Sequence, residues 1–448
     1  MSKASENRIA AQLAQAAQLA QTGQWAVAEK TLAQVLAVDA REPDALRLMG
    51  LVHAGQGRLD EAADFLRRSL ALRPNQPQAQ FHLGRILAQQ GEHRDAIAAL
   101  RAATRAQPDL FEAWLFLAQT QMAIKDFAEA EKNYRQALLL KPDSPAALCG
   151  LGELLGMMDR PAESEDVLRK AMAQPSLRPV QAARIAHGLG IALVMQGRGE
   201  EAIAAFRSAL SHDPMHAQAH QELNALLYRL GRDGELLESY DTAIRRLPPR
   251  RQAESGALLL QKGGFLLRAE RFEEARECFA RVAAMAPGSA GPQNGLAQAL
   301  AGLGQLEASI AAYEKSMALR PGDLMTGINL ACTLLEAGDA KRALRLTDQV
   351  MAQMPFNQSV LAAHELALRA NDDSRAEDIA DYARHVQIFD LEPPPGFSSM
   401  EEFNAALNAE LDPLHTDLRE HIDQTLRHGT QTTTSLLSSA NPLMRALR

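Results

Sequence analysis

The chain has 448 residues, of which 46% are hydrophobic and 4% aromatic, and its formal net charge is −8. Ala and Leu dominate the composition, which favours stacked helices over a strand-rich core. The negative charge argues against a general nucleic-acid or anionic-membrane surface, because counterion release requires clustered Lys and Arg.

The amino-terminal segment does not have the pattern of a targeting signal. Its sequence, MSKASENRIAAQLAQAAQLAQ, lacks a basic region followed by an apolar run, and no stretch of the chain reaches the roughly 18 apolar residues of a membrane span. The cysteines Cys149, Cys278 and Cys332 lack CxxC spacing, so neither a disulfide framework nor a zinc site is indicated. We therefore expect a cytoplasmic protein that binds neither membranes nor nucleic acid.

From Gly23 onwards, the sequence repeats itself with a period of about 34 residues. Similar segments start at four turn residues: GQWAVAEKTLAQVLAVDA at Gly23, GRLDEAADFLRRSLALRP at Gly57, GEHRDAIAALRAATRAQP at Gly91 and KDFAEAEKNYRQALLLKP at Lys125. A fifth turn follows at Asp159. A repeat of this length is long enough for one helical hairpin, so we predict a hairpin in each unit.

The unit that ends at Pro142 shows how each repeat encodes two helices. The first helix has one face at the i, i+3, i+4, i+7 spacing: Trp114, Leu117, Ala118 and Gln121. A turn at Lys125 follows, and the second helix presents Ala130, Tyr134 and Ala137 before Pro142 prevents its continuation. Small residues recur five places after the turn, where the two helices must approach closely: Ala62, Ala96, Ala130 and Ala202.

Two steps of the repeat are longer than the others. About four extra residues precede Gly197, in PSLRPVQ, and about five precede Glu270, in PPRRQAE. We interpret both as longer loops between repeats.

Taken together, these positions resemble the tetratricopeptide repeats. The matching residues are Leu83-Gly84, Ala96 and Pro108; Leu189-Gly190, Ala202, Phe206, Ala209 and Pro214; Ala275, Phe279, Ala283 and Pro287; Gly304, Tyr313 and Pro321; and Gly338, Ala343 and Pro355. The resemblance implies an all-α fold, a right-handed superhelical solenoid of helix-turn-helix repeats, over residues 7–390 in about ten to eleven repeats. A short mixed segment would follow it.

The resemblance also implies that the first helix of each repeat faces a concave groove. Counting from the turn residues places these side chains in it: Asp44, Arg47, Gln78, Phe81, Arg85, Gln89, Glu112, Leu115, Gln119, Arg184, His187, Gln218, Gln221, Tyr228, Asn294 and Gln298. Gln and Asn can donate to and accept from an extended peptide backbone, so a protein or peptide partner is predicted. The alternative is that these residues form only a hydrated inner surface.

Two functional subtypes of the family are not indicated. The carboxylate clamp of chaperone-tail binders requires converging Lys and Arg, and here Arg47, Arg85 and Arg184 are expected to lie too far apart. The Asn ladder of sugar-transferase solenoids is also missing, since Asn329 occupies that position but Gly295 precedes it.

The sequence changes character after the repeats. Residues 391–398 are a Pro-rich linker, and Ser399 with Glu402 three residues later predicts the capped start of an amphipathic helix. About the last 60 residues resemble the start of a bacterial 2-oxoglutarate/iron(II) dioxygenase domain, which residues 399–448 would begin. The resemblance rests on Phe389-Asp390-Leu391, Pro395-Gly396-Phe397, Phe403-Asn404, Leu411, His415 and a run that includes Gln424, Arg427, Gly429, Thr430, Gln431 and Thr432. The family has a second Gly where His428 stands.

Such an oxygenase would hold iron on two His and one carboxylate. No His follows His428, and the strings His415-Thr416-Asp417 and His421-Ile422-Asp423 lie in a segment that reads as helix, where residues i and i+2 point to different faces. We therefore predict no catalytic residue, no metal site and no cofactor in this chain. Iron(II) and 2-oxoglutarate would bind only to a domain downstream, and the 399–448 domain is expected to be incomplete.

Three functions remain open. The first is a non-catalytic scaffold that binds a protein or peptide, as the recruiting arm of a larger protein. The second is the substrate-recruiting part of an iron(II)/2-oxoglutarate dioxygenase that acts on a polypeptide. The third is a structural role in assembly through self-association, since the ends of a solenoid need polar caps to stay soluble.

Overall fold

The structure is a computed structural model that describes residues 3–175, 177–248, 251–380 and 392–411. These residues form 23 α-helices and no strand, which confirms the predicted all-α class of consecutive helical repeats. The chain divides into two compact units, Met1–His212 and Asp213–Arg448.

Unit 1 contains twelve helices, which pair in order as hairpins. They are α1 (Lys3–Gln21), α2 (Trp25–Val38), α3 (Pro43–Gly55), α4 (Leu59–Leu72), α5 (Pro77–Gln89), α6 (His93–Ala106), α7 (Phe111–Ala123), α8 (Phe127–Leu140), α9 (Pro145–Met157), α10 (Pro161–Met172), α11 (Pro179–Met195) and α12 (Gly199–His212).

Unit 2 contains the remaining eleven helices of the described chain. They are α13 (Ala217–Arg229), α14 (Glu238–Arg246), α15 (Gln252–Arg268), α16 (Phe272–Met285), α17 (Ala290–Gly302), α18 (Leu306–Leu319), α19 (Leu324–Glu336), α20 (Ala340–Met351), α21 (Gln358–Arg369), α22 (Arg375–Ile379) and α23 (Met400–Leu411).

The predicted turn residues have the backbone conformation that a tight turn needs. Gly57 and Gly91 adopt φ of +79° and +83°, and the non-glycine residues Lys125 and Asp159 adopt +63° and +58° at the same place in their repeats. Glycine occupies this left-handed region without steric cost, whereas an L side chain is strained there. The recurring turn at these four positions is confirmed.

The small residues in the second helices lie where the two helices of a hairpin meet. Ala62, Ala96, Ala130 and Ala202 are all fully buried. On the facing helix, a Cβ added to Gly84 would lie 2.6 Å from Leu100 Cγ and 3.0 Å from the carbonyl oxygen of Ala96. The hairpin contact therefore depends on the small size of residues on both helices.

Within unit 1, hydrophobic clusters bridge consecutive hairpins. One cluster is formed by α7, α8 and α9. In it, the fully buried Tyr134 packs with Ala130, Ala137 and Leu151. α8 ends at Leu140, two residues before Pro142, as the sequence predicts. A core of this kind is built from neighbouring repeats only, which is the packing expected for a helical repeat array.

Ion pairs also join consecutive hairpins of unit 1. The carboxylates of Glu29, Glu131 and Glu165 lie on second helices, and each binds an Arg just after the following turn. The pairs are Glu29–Arg58 at 2.7 Å, Glu131–Arg160 at 2.7 Å and Glu165–Arg198 at 2.5 Å. Hydrogen bonds from these arginines help to hold the pKa of Glu29 and Glu131 below the usual range of a carboxyl group.

The two longer steps of the repeat lengthen mainly a helix. α11 and α15 have 17 residues each, whereas the first helices α3, α5, α7 and α9 have 13. The extra residues add about one turn to the helix, and Pro179 occupies the first helical position of α11. The predicted longer loop is present before α11, where residues 173–178 connect the helices, compared with 73–76 between α4 and α5. The prediction did not include the longer helix.

The hairpin of α13 and α14 departs from the repeat. α14 has only nine residues, and Leu237 before it adopts a φ of +70°. The side chain of Asn224 stabilises this turn: its Oδ1 accepts a hydrogen bond from the Leu237 backbone N–H at 2.6 Å, and its Nδ2 donates to Ser239 Oγ at 3.0 Å. His220 lies beside them, with Nδ1 2.9 Å from Ser239 Oγ and its ring stacked on Tyr240.

The capped start of α23 is confirmed. Ser399 Oγ accepts a hydrogen bond from the Glu402 backbone N–H at 3.1 Å, while the Glu402 carboxylate reaches back to the Ser398 backbone N–H at 2.9 Å. The motif residues Gln424, Arg427, Gly429, Thr430, Gln431 and Thr432, both HxD strings and most of the predicted 399–448 domain lie outside the described residues.

Candidate functional site

The first helices of unit 1 lie side by side. α3 contacts α5, α5 contacts α7, α7 contacts α9 and α9 contacts α11, in addition to the contacts within each hairpin. In unit 2, α15 contacts α17 and α17 contacts α19 in the same way. Within each unit, the outward side chains of these helices therefore form one continuous surface, which we call the first-helix face.

Three of the predicted groove residues are engaged within their own hairpins. Each pairs with the residue that follows the second helix, 29 positions later: Asp44 with Arg73 at 3.0 Å, Gln78 with Gln107 at 2.8 Å, and Glu112 with Lys141 at 3.0 Å. These bonds tie the start of the first helix to the end of the second. They leave fewer polar atoms at these positions for a partner.

Two apolar residues of the predicted groove belong to the core. Phe81 and Leu115 are only 9% and 8% exposed, and Phe81 packs with Ile97 and Leu100 and makes an edge contact with Phe116 at 5.5 Å. Leu115 packs in the cluster around Tyr134. We correct the prediction for these two side chains, because a first helix touches neighbours on several faces and leaves little of an apolar residue exposed.

A basic cluster lies on α3 and α5. Burial, followed by the positive charges of Arg85 and Arg47, lowers the pKa of His82 to about 4. Arg85 Nε is buried and has no hydrogen-bond acceptor among the described residues. His82 is held neutral near pH 7 by this environment.

A cleft opens between α9 and α11, with a volume of about 420 Å³. Its lining is mainly glycine and aliphatic or thioether side chains: Gly152, Gly156, Gly188, Ala192, Ile191, Met157 and Met195, with the polar residues Glu153, Ser164 and His187. Met157 and Met195 are exposed at its rim. The unbranched methionine side chain adapts to many apolar shapes, which is useful at a binding surface.

Glu153, in the wall of this cleft, forms a bidentate ion pair with Arg184. Arg184 donates from Nε and Nη2 to the carboxylate of Glu153, at 2.6 and 2.5 Å. Cys149 Sγ lies 3.5 Å from Glu153 Oε1, and burial, followed by the charge of Glu153, raises the pKa of the Cys149 thiol to about 12. A thiol with so high a pKa is not a nucleophile near pH 7. The cleft is therefore suited to binding and not to thiol chemistry.

The glycine at the bottom of the cleft has no packing reason to be glycine. The four other first helices from α3 to α11 carry Ala54, Ala88, Met122 and Val194 at the position of Gly156. A Cβ added to Gly156 would meet only Ser164 Oγ, at 3.8 Å. By contrast, a Cβ on Gly152 would lie 2.5 Å from Leu168 Cγ. Gly156 therefore leaves space in the cleft, at a position where these other helices carry larger side chains.

The predicted residues of unit 2 are polar and partly open. Gln218 and Gln221 are exposed on α13, and Gln298 Nε2 donates to Asn294 Oδ1 at 3.1 Å on α17. In unit 1, Gln89 is exposed, and Gln119 and His187 are half-buried, as Tyr228 is in unit 2. The amide character of the surface is as predicted, while binding by it stays a prediction.

The part of the chain that the structure describes contains no group of three His, Cys, Asp or Glu side chains that could hold a metal ion. Within the same residues, no helix combines the length and apolarity that crossing a bilayer requires. Sequence reasoning missed the cleft of unit 1, although the four-residue spacing of Gly152 and Gly156 on one helix was visible and could have been noticed.

Three family models, each described as a tetratricopeptide repeat, match the sequence. One matches residues 53–120 and 87–132, the second residues 13–77, 187–251 and 266–323, and the third residues 111–154. Together these ranges cover more than half of the chain. The chain belongs to the tetratricopeptide repeat proteins. None of the matched ranges extends beyond residue 323, and the resemblance of the tail to a dioxygenase receives no support from them.

Solved structures of similar fold have low sequence identity to this chain. YrrB, described as a TPR protein with an unusual peptide-binding site, is 15% identical over 42% of this chain and 96% of its own, with a TM-score of 0.38. PilF of Pseudomonas aeruginosa is 17% identical over 50% of this chain and 99% of its own, with a TM-score of 0.44. MamA is 22% identical over 38% of this chain and 97% of its own, with a TM-score of 0.35. No curated protein matches the sequence.

Proposed function

We propose that the first-helix face of unit 1 binds a segment of a partner protein and that one apolar side chain of this segment enters the cleft between α9 and α11. The chain is a helical repeat scaffold, and such scaffolds act through extended surfaces of this kind. The observation that carries the proposal is Gly156 in the lining of the cleft, where an added Cβ would meet only Ser164 Oγ, at 3.8 Å.

The composition of the cleft defines the side chain that it accepts. A volume of about 420 Å³ admits a Leu, Met or Phe side chain, and the glycines allow it to approach the backbone of α9 and α11 closely. The Glu153–Arg184 pair is already neutralised by its own geometry, so it does not demand a charged ligand. The exposed Gln89 on α5 and the half-buried Gln119 on α7 precede the cleft along the first-helix face and are available to bond the peptide backbone on that side of the anchor.

Peptides selected from a random displayed library on the full chain test this function. We expect the selected sequences to share one large apolar residue. Filling the cleft by Gly156→Leu should weaken their binding about 10- to 100-fold, since burying one such side chain contributes about 1.5–3 kcal/mol.

The matched control is Gly264→Leu on α15, where an added Cβ would meet only Arg268 Nη1, at 3.9 Å. It should leave peptide affinity unchanged. Selected peptides without an apolar anchor, or equal binding by the Gly156→Leu chain, would contradict the proposal. Helical circular dichroism of both variants shows that they remain folded.

A further inference from the structure

A second cleft lies in unit 2, on the side of the hairpins opposite to their first helices. It has a volume of about 530 Å³ and is flanked by α18 and α20, the second helices of consecutive hairpins. Leu330 and Leu334 of the intervening helix α19 form its floor, and Met317 and Leu346 form apolar walls. We call it the outer cleft.

Charged side chains edge the outer cleft unevenly. Arg342 pairs with Glu314 of α18 and, at 3.7 Å, with Asp339 at the start of α20, so its charge is balanced within the chain. Arg345 also lines the cleft, is exposed, and makes no hydrogen bond or ion pair with any residue that the structure describes. Lys341 lies one turn before Arg345 on the same helix. The outer cleft is therefore net positive in a chain whose net charge is −8.

The internal repeat shows that this charge is particular to α20. At the position four residues after the turn, where α20 has Arg342, the second helices of seven other hairpins have acidic residues or alanine: Glu61, Asp95, Glu129, Glu163, Glu201, Glu274 and Ala308. At the position of Arg345, the same hairpins have Asp64, Ala98, Lys132, Asp166, Ala204, Glu277 and Ala311. Only α20 carries a cation at both places.

The repeat fold does not need the charge of Arg345. Acidic residues near the start of a helix are stabilised by the helix dipole, and in α20 this role belongs to the N-cap Asp339, which accepts a hydrogen bond from the Arg342 backbone N–H. Arg342 pairs with Asp339 and with Glu314 of α18, so it contributes to the packing of the hairpins. Arg345 has no such partner among the described residues, which leaves its charge available to a binding partner.

We propose that the outer cleft binds a short acidic amphipathic helix of a partner protein. Apolar side chains of that helix would pack on Met317, Leu330 and Leu346, and a carboxylate would bind Arg345. Charge complementarity selects this occupant, because a basic or neutral helix would leave Arg345 unpaired beside a desolvated surface. This site is distinct from the first-helix face of unit 1 and does not depend on it.

The test uses the full chain and a fluorescein-labelled amphipathic peptide with Leu at i, i+3, i+4 and i+7 and Glu at the flanking positions. A second peptide has Gln in place of every Glu. Anisotropy should show saturable binding of the acidic peptide, weakened about tenfold in the Gln peptide and by high salt. Ala318→Phe, which fills the cleft, should abolish binding of both peptides.

Two charge reversals complete the test. Arg345→Glu should weaken the acidic peptide about tenfold or more, while Lys132→Glu, at the same helix position on α8, should not. The thermal midpoint of Arg345→Glu should stay close to that of the parent, because Arg345 makes no hydrogen bond or ion pair with any described residue. The proposal is overturned by retained affinity in Arg345→Glu, by equal loss in Lys132→Glu, by a lowered midpoint, or by absence of acidic-peptide binding. If the parent chain sediments with phosphatidylserine vesicles and the Arg345→Glu chain does not, the surface binds a membrane instead.

Discussion

Two glycines on α9 should respond in opposite ways to the same substitution. Gly152 and Gly156 lie one turn apart, both have helical backbone, and both line the cleft of unit 1. Replacement of a helical glycine by alanine stabilises a helix by about 0.5–1 kcal/mol, because alanine loses less backbone entropy on folding. The difference between the two sites therefore comes from what the new methyl group meets.

The structure gives the sign at each site. The Gly156 methyl would have Ser164 Oγ at 3.8 Å, an ordinary van der Waals distance, so Gly156→Ala should raise the free energy of unfolding by about 0.5–1 kcal/mol. The Gly152 methyl would lie 2.5 and 2.6 Å from Leu168 Cγ and Cδ2, and Leu168 is fully buried. Overpacking of this kind costs about 1–3 kcal/mol. The free energy of unfolding of the Gly152→Ala variant should therefore be about 2 kcal/mol lower than that of the Gly156→Ala variant.

Urea unfolding followed by circular dichroism measures this difference. Hydrogen exchange of α9 and α10 should accompany it, because a repeat array can unfold in segments and a single global midpoint then averages over them. The reasoning is refuted if Gly156→Ala destabilises the chain. In that case the absence of a side chain at Gly156 serves packing, and the cleft is not space kept open for a ligand.

Three other predictions follow from the described contacts. The pKa of His82 is lowered to about 4 in the folded chain, so the unfolded chain binds a proton more readily and protonation favours unfolding. The contribution of His82 to the free energy of unfolding is fully present above about pH 6.5. It is lost as the pH falls towards 4, by about 3 kcal/mol in all. An acid titration of unfolding should therefore be shallower in His82→Asn. Asn224→Ala should cost about 2–4 kcal/mol in urea unfolding, because it leaves the buried Leu237 N–H without an acceptor and removes the bond that holds the left-handed turn. Arg160→Ala should lower the urea midpoint through loss of the Glu131 pair, and high salt should reduce the difference from the parent.

The sequence determined the helical hairpins more completely than the surface. Turn residues such as Gly57, small residues such as Ala96 and the terminating Pro142 each act within one hairpin, so local rules predict them. Exposure of a first-helix residue depends on the helices on both sides. Counting from the turn therefore placed Phe81 and Leu115 in the groove, whereas both are buried.

The clefts could not be predicted from local rules, because each depends on side chains that are absent or unpaired. The open space at Gly156 becomes visible only when the neighbouring helix α11 is in place. The unpaired state of Arg345 likewise depends on which carboxylates α18 presents across the outer cleft. A sequence pattern identifies each residue, but it does not show which space or which charge the neighbouring helices leave without a contact.

The repeat itself nevertheless contains contact information that goes beyond the single hairpin. Glu29, Glu131 and Glu165 each stand six residues after a turn, and in all three cases the residue just after the next turn is an arginine. Each of these pairs is formed in the structure. Where the same position is apolar, the residue after the next turn varies: it is Glu92 for Ala63, Asp126 for Ile97 and Arg232 for Ile203.

This correlation arises because stacking of identical hairpins brings the same two positions together at every step. A carboxylate there is half-buried and requires a cation, whereas an apolar residue does not. Comparing the repeats of one chain with one another can therefore identify contacts between neighbouring hairpins. The same comparison isolates α20, where Arg342 is paired with Glu314 and Asp339 but Arg345 has no partner among the described residues, and this is why we assign Arg345 to a partner outside the chain.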